Sequence, residues 1–308
     1  MPTETPTEPM PELPSDPMSV LRQTRPISRR RWLGGVGAAG AALAAGGAGL
    51  LAPSPAEAQA AGSPQLDVAV LQFALQLEYL EAEFYLRAIG KGSAPGGGNA
   101  RVTGGRRVDF QTSAIRQYAN EIAADEANHV RFLQRTLGSR STPRPEINFT
   151  DAFRAAAAAA GLGNNFDAFA NETNFLLGAF IFEDVGVTAY RGAAPLVSRS
   201  VVGPAASILA VEAYHAASVR TVLFGKGRAA INATNQISKA RDSLDGGSDL
   251  DQGLTVGNVA NLVPTDSNSL TFARTTSQVL NIVFLKPGKG VSRGGFFPRG
   301  INGTIRST

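Results

Sequence analysis

The sequence predicts an all-α fold built on a bundle of four long helices, and three observations carry that expectation. Apolar residues recur at helical spacing through four stretches of roughly twenty to thirty residues each. Three of these stretches close on a glycine, at Gly90, Gly138 and Gly225, the residue that most readily adopts the left-handed turn at a helix end. Strand-like alternation is nearly absent.

The first helix is expected over Leu66–Ile89, where no Gly or Pro interrupts the period. A Gly-rich basic loop follows from Gly90 to Asp109, and helical periodicity resumes from Phe110 to Leu137. Residues 139–149 hold two prolines and form a connector, after which Thr150 is placed to cap a short Ala-rich helix ending at Gly161. The third long helix is expected over Phe166–Arg191. Gly203-Pro204 opens the fourth, which runs to Phe224. Beyond Gly227 the pattern weakens: Ile231–Leu244 suits a fifth helix, Asp245–Ser269 a polar loop, and Leu270–Leu285 a sixth helix that docks on the bundle. The tail from Lys286 carries Phe296-Phe297-Pro298, too apolar to leave in water, so it is expected to fold back.

The N-terminal residues have a different character. Residues 1–20 are rich in Pro, Thr, Glu and Ser and have no apolar period, a composition expected to stay disordered. Ser28-Arg29-Arg30-Arg31-Trp32-Leu33 precedes a Gly/Ala/Leu run over Gly34–Ala52 and the small-residue site Ala56-Glu57-Ala58. That order suits a twin-arginine export signal. A membrane anchor is the alternative, but Gly and Ala give the run a weak transfer free energy. The expected organisation is therefore a disordered N-terminus and signal over 1–58, a bundle over 65–227 and an extension over 228–308 that packs on it. Export would deliver the protein to the periplasm or the exterior, with the twin-arginine machinery as a partner and no stable membrane anchor after cleavage. The route carries folded chains, which suits a protein that acquires its cofactor before export.

Composition narrows the chemistry. A net charge of +4 over 308 residues makes no strong demand for a polyanion, which argues against nucleic acid as a partner. With no cysteine, any metal must be held by nitrogen and oxygen, and only His129 and His215 supply imidazole. Both histidines stand three residues after a glutamate, in Glu126-Ala127-Asn128-His129 and Glu212-Ala213-Tyr214-His215. With thirteen Glu in the chain, both would do so by chance roughly 0.2% of the time. Residues three apart share a helical face, so each pair presents a carboxylate and an imidazole together.

The first and third long helices add one carboxylate each. Glu78 lies among Leu71, Ala74, Leu75, Ala82 and Tyr85, and Glu183 among Leu176, Ala179, Phe180, Val187 and Tyr190, at offsets that keep them on one apolar stripe. A constant shift of 105 residues matches Glu78 with Glu183 and Tyr85 with Tyr190, and a shift of 86 matches Glu126 with Glu212 and His129 with His215. The chain therefore carries an internal duplication of a helix pair. Four unpaired carboxylates in a core would cost several kcal/mol each, and no Arg or Lys lies on those stripes. Two divalent cations with two imidazoles would balance them, the ligand set of a bundle that takes Glu from two helices and Glu-x-x-His from the other two. Glu81, with apolar flanks but Gly186 as its duplicate, is expected just behind the ligands. Tyr85 and Tyr190 are candidates to hydrogen-bond the ligands or to relay electrons, so these three residues are the candidate catalytic groups. Glu83, Glu121, Asp125, Glu172 and Asp184 are expected to be solvated or salt-bridged.

In this order, Glu78, Glu126/His129, Glu183 and Glu212/His215 resemble the ferritin-like superfamily, whose members hold di-iron or di-manganese centres in a four-helix bundle. The stretches LQLEYLEAEFY over 75–85 and DEANHVRFL over 125–133, with Phe296-Phe297-Pro298, more narrowly resemble the ferritin-like family that includes plant desiccation-related proteins and exported bacterial relatives. The likeness spans roughly residues 65 to 305. It implies that Glu126 and Glu212 bridge two metals while Glu78 and Glu183 are terminal ligands. The long Gly90–Asp109 loop and the C-terminal helices and tail depart from cage-forming ferritins. Two divalent ions, iron or manganese, with peroxide or dioxygen as the small-molecule oxidant, are the expected cofactors and substrate. The alternative is a non-catalytic stress protein in which metal staples the bundle.

Overall fold

The first helix of the described residues starts at a side-chain cap. A computed structural model describes residues 62–308, and the disordered N-terminus and export signal expected over 1–58 lie outside the described residues. In α1 (Pro64–Ala88) the Ser63 side chain accepts the Leu66 N–H. Helix α2 (Ser113–Leu137) stops at Gly138 as expected, and α3 (Phe149–Ala159) starts one residue before Thr150 because Asn148, rather than Thr150, accepts the Asp151 N–H.

Two long helices begin away from their expected starts. Helix α4 (Glu172–Ala193) starts six residues later than the periodicity suggests, because Asn171 caps it and Asp167 holds the preceding residues in a turn through the Phe169 N–H. Helix α5 (Arg199–Gly225) starts before Gly203-Pro204, so Pro204 lies inside the helix rather than at its opening. The chain is turned into α5 by Asp67 of α1, whose carboxylate accepts both the N–H and the hydroxyl of Ser198.

Helix α1 packs along α2 and α4 along α5, giving the four long rods of an all-α bundle. Among the described residues the strands form two two-residue ladders, with one isolated antiparallel bridge between Gly294 and Phe297. Val102–Thr103 (β1) pairs in parallel with Ile147–Asn148 (β2), and Thr255–Val256 (β3) pairs antiparallel with Val259–Ala260 (β4). Every residue of 73–86 in α1 and of 175–190 in α4 is buried, so these two helices are covered on all sides. Phe84 lies at the centre of the aromatic core, within 5.2–6.1 Å of Phe149, Phe153, Phe169, Phe175 and Phe182.

What covers α4 is the C-terminal part of the chain. Helix α6 (Arg228–Asp245) and helix α7 (Thr276–Val283) both pack on α4. The sixth helix is shorter than its apolar spacing implies. Residues 270–275 form no helical turn, and the Arg274 N–H is spent on the Thr188 carbonyl of α4, so the helix begins only after the Thr275/Gln278 capping box. Gly192 permits that approach, since a Cβ there would collide with the Arg274 backbone. The polar loop after α6 is not wholly solvated: Asp251 and Leu254 are buried. Phe296 does fold back, onto Phe182 at 4.9 Å and Phe153 at 5.1 Å.

A buried ion network fastens this layer. Arg241 reaches Asp184 at 3.0 Å and Asp251 at 2.7 Å, Arg274 reaches Asp245 at 2.6 Å and Asp251 at 2.9 Å, and Arg220 of α5 reaches Asp184 at 2.7 Å. Three guanidinium groups thus balance three aspartates out of water. Removing one partner strands the rest, so Arg274→Ala is expected to lower the unfolding free energy by about 3–5 kcal/mol in urea titrations.

Candidate metal centre

The duplicated helix pairs bring their acidic groups together at mid-bundle. Covered helices α1 and α4 supply Glu78 and Glu183, and the more solvent-facing α2 and α5 supply the two Glu-x-x-His pairs, each on a buried face. All four glutamates are buried to within about one per cent. A stripe does not by itself single out Glu78, because α1 is buried all round; Glu81 and Glu83 are buried beside it. The structure sorts these acids by partner. Glu83 accepts from Arg87 at 2.8 Å and faces Arg144 at 3.1 Å, whereas Glu78 has no cationic residue other than a histidine.

Two overlapping groups result. Glu78, Glu126, His129 and Glu212 each offer one atom within 4.8 Å of the others, and Glu126, Glu183 and His215 do the same. Nδ1 of His129 faces Glu78 Oε2 at 3.2 Å, Glu212 Oε1 at 3.6 Å and Glu126 Oε2 at 3.7 Å. Nδ1 of His215 faces Glu126 Oε1 at 3.1 Å and Glu183 Oε2 at 3.5 Å. The imidazole centroids are 6.4 Å apart. Glu126 therefore divides its two oxygens between the groups, as a bridging carboxylate would. Glu212 groups with His129 alone, and its Oε2 is turned to Gly186, where a Cβ would collide with it.

The tyrosines cross between the halves. Tyr85 donates its O–H to Glu183 Oε1, and Tyr190 donates to Glu78 Oε1. Each hydroxyl occupies one oxygen of a glutamate and leaves the other, Oε2, aimed at an imidazole. Burial and the adjacent carboxylates hold both phenols well above their ordinary range, so they remain donors.

After those bonds are made, eight buried atoms have no hydrogen-bond partner: Oε2 of Glu78 and Glu183, both oxygens of Glu126 and Glu212, and Nδ1 of both histidines. Buried polar atoms are rarely left so, and here they converge. Hard carboxylate oxygens with one imidazole nitrogen per group fit a divalent cation of the iron or manganese type, so the cluster is suited to binding metal. The electrostatics of the metal-free cluster express the same frustration. Burial and then Glu126 push Glu78 up to about 7. Burial works against a charged His129 and a charged His215, yet the surrounding glutamates raise them to about 10 and about 12. Glu126 alone goes down, to about 2, because two imidazoles outweigh its burial.

Glu81 is buried beside Glu212, one of the candidate ligands. Its Oε1 approaches the space at Gly186 that Glu212 Oε2 also fills, and it lines a small cavity with Leu77, Leu80, Val185, Ile282 and Phe296. One contact was not anticipated. Asp125, expected to be solvated or salt-bridged, stands 3.2 Å from Nε2 of His215 while remaining 40% exposed. The hint available in the sequence was its place next to Glu126, but nothing there says which histidine it meets.

Residues 66–225 match the ferritin-like domain family. The chain is similar to desiccation-related protein PCC13-62 of Craterostigma plantagineum, 32% identical over 246 residues that cover 70% of this chain and 77% of the relative. It is also similar to ferritin-like catalase Nec2 of Nesocodon mauritianus, 27% identical over 273 residues that cover 79% and 86%. No solved structure matches it significantly.

Two outcomes are expected of the cluster. Because Glu78 sits above its ordinary range, its contribution to stability is complete below about pH 4.5 and lost as pH rises through about 7; that of His129 is complete below about 6.5 and lost as pH rises through about 10. A metal ion competes with those protons, so the difference in Tm between manganese-loaded and chelated protein should widen from about pH 5.5 to about pH 8.5, reaching about 2.7 kcal/mol of stabilisation at a free ion concentration about a hundredfold above Kd. Separately, Tyr190→Phe releases Glu78, and competition with a chelator should register a loss of metal affinity of about tenfold or more at unchanged helix content.

Proposed function

From the premise that this chain belongs to the ferritin-like domain family, we propose that it is an exported dinuclear metal-carboxylate protein that acts on peroxide or dioxygen under oxidative or desiccation stress. The observation that carries the reading is the convergence of eight unpartnered ligand atoms from Glu78, Glu126, His129, Glu183, Glu212 and His215. Two ions of iron or manganese held there would supply Lewis acidity and electrons. The catalase named among the relatives favours hydrogen peroxide, two molecules of which would yield one of dioxygen and two of water.

The residues around the ligands have defined tasks in this reading. Tyr85 and Tyr190 hold one oxygen of Glu183 and of Glu78, so that each carboxylate presents its other oxygen inward. Glu81, kept well above the carboxylate range by burial and by Glu126, keeps a proton on the cavity side of Glu212. Aliphatic and aromatic walls around Glu81 limit water at that face.

Export by the twin-arginine route, to the periplasm or beyond, is supported by the Ser28–Leu33 motif and the Ala58 cleavage site. Among the described residues no helix is long and apolar enough to cross a membrane. The partners are then the export machinery and a small oxidant, with no role for nucleic acid.

A second reading is favoured by the desiccation-related relative: the ion holds four helices together and no catalysis occurs. Elemental analysis of the exported protein, together with peroxide consumption and oxygen release, separates the two. The enzyme reading expects iron or manganese, an N-terminus at Gln59, and turnover that falls to background in His129→Ala and His215→Ala while circular dichroism stays helical. Bound metal without turnover in the wild type establishes the second reading instead.

A further inference from the structure

The duplication makes the two candidate metal positions alike in their tyrosine-held glutamates and unlike behind their histidines. Nε2 of His215 lies 3.2 Å from Asp125 Oδ2. Nε2 of His129 makes no hydrogen bond to any described residue, and the reason lies in the register. The shift of 86 that maps Glu126 onto Glu212 maps Asp125 onto Val211, so the residue that would support His129 has no acceptor. The groups differ inward as well: His129 faces three carboxylates, Glu78, Glu126 and Glu212, and His215 faces two, Glu126 and Glu183.

We infer that Asp125 is a positioning residue for the His215 position alone and makes the two metal positions unequal. This rests on the dinuclear reading above. Nδ1 of His215 points at Glu126 and Glu183, so the proton of a neutral, metal-binding imidazole must sit on Nε2, where Asp125 accepts it. That bond fixes the tautomer, holds the ring plane, and places a negative charge behind the ring, which makes Nδ1 a stronger donor. The His215 position thus has two carboxylates in front of the imidazole and one behind it. The His129 position has three in front and none behind.

The test uses the metal-free mature protein titrated anaerobically with Mn2+, followed by calorimetry and by electron paramagnetic resonance, which distinguishes an isolated ion from a coupled pair. Two unequal binding steps are expected in the wild type. Asp125 is 40% exposed, so its variants should fold. Asp125→Ala should weaken one step by about tenfold to a hundredfold and spare the other, and His215→Ala should delete that same step. Asp125→Asn keeps an acceptor oxygen and should recover most of the loss. Val211→Asp installs the missing carboxylate and should tighten the step that Asp125→Ala spares. The exposed control Glu121→Gln should alter neither. Equal weakening of both steps by Asp125→Ala, or no change in either, overturns the inference and leaves the dinuclear reading intact. A wild type that takes up no Mn2+ overturns both.

Discussion

Four carboxylates share one dry core with only two imidazoles, and the rest of the molecule is arranged around that imbalance. Packing cannot relieve it, since each glutamate is already enclosed, and direct hydrogen bonds relieve only two of the eight oxygens. Without metal the cluster must hold protons on some carboxylates and on its histidines, a state that becomes costlier as pH rises. A bundle that keeps such a cluster needs stabilising energy from elsewhere, and the aromatic core around Phe84 supplies it, while the second set of buried charges is paired with opposite charges.

The two sets of buried charge follow opposite logic. Asp184 stands next to Glu183 in the chain, yet its carboxylate turns to the outer side of α4, where Arg220 and Arg241 neutralise it. Glu83 is similarly satisfied by Arg87 and Arg144. Arginine is thus supplied to Asp184 and Glu83, whereas the four central glutamates pair with none among the described residues. The C-terminal layer contributes Arg241 and Arg274 to that sorting, and it closes the far side of the cavity at Glu81 with Ile282, Val283 and Phe296. The departure from a plain bundle is therefore connected to the centre by position as well as by packing.

Duplication explains the near symmetry of the site, and its lapses explain the differences. Tyr85 and Tyr190 exchange partners between the halves, which locks each half to the other through a glutamate. Gly186 replaces a second Glu81, and the space left by its missing Cβ is what Glu212 Oε2 occupies. The missing side chain in one copy is the room that a candidate ligand of the other copy fills.

The sequence by itself determined the helical class, the duplication and the six candidate ligands, because those depend on spacing along a rod: Glu126 and His129 share a face whatever the rod packs against. It also marked Glu81, Tyr85 and Tyr190 as neighbours of the candidate ligands, and the tyrosines bond Glu183 and Glu78. The starts of α3, α4, α5 and α7 were less legible, since Asn148, Asn171, Asp67 and the Arg274 N–H each settle them through a hydrogen bond that periodicity does not encode. Only the tertiary structure decided that each tyrosine serves the opposite half, that Glu126 rather than Glu212 spans both groups, that Asp184 is neutralised by arginines from α5 and α6, and that Asp125 meets His215. Those contacts join residues 36 to 112 positions apart, and whether two such groups meet depends on the rotation and offset of one helix against another, which no pattern within a single helix specifies.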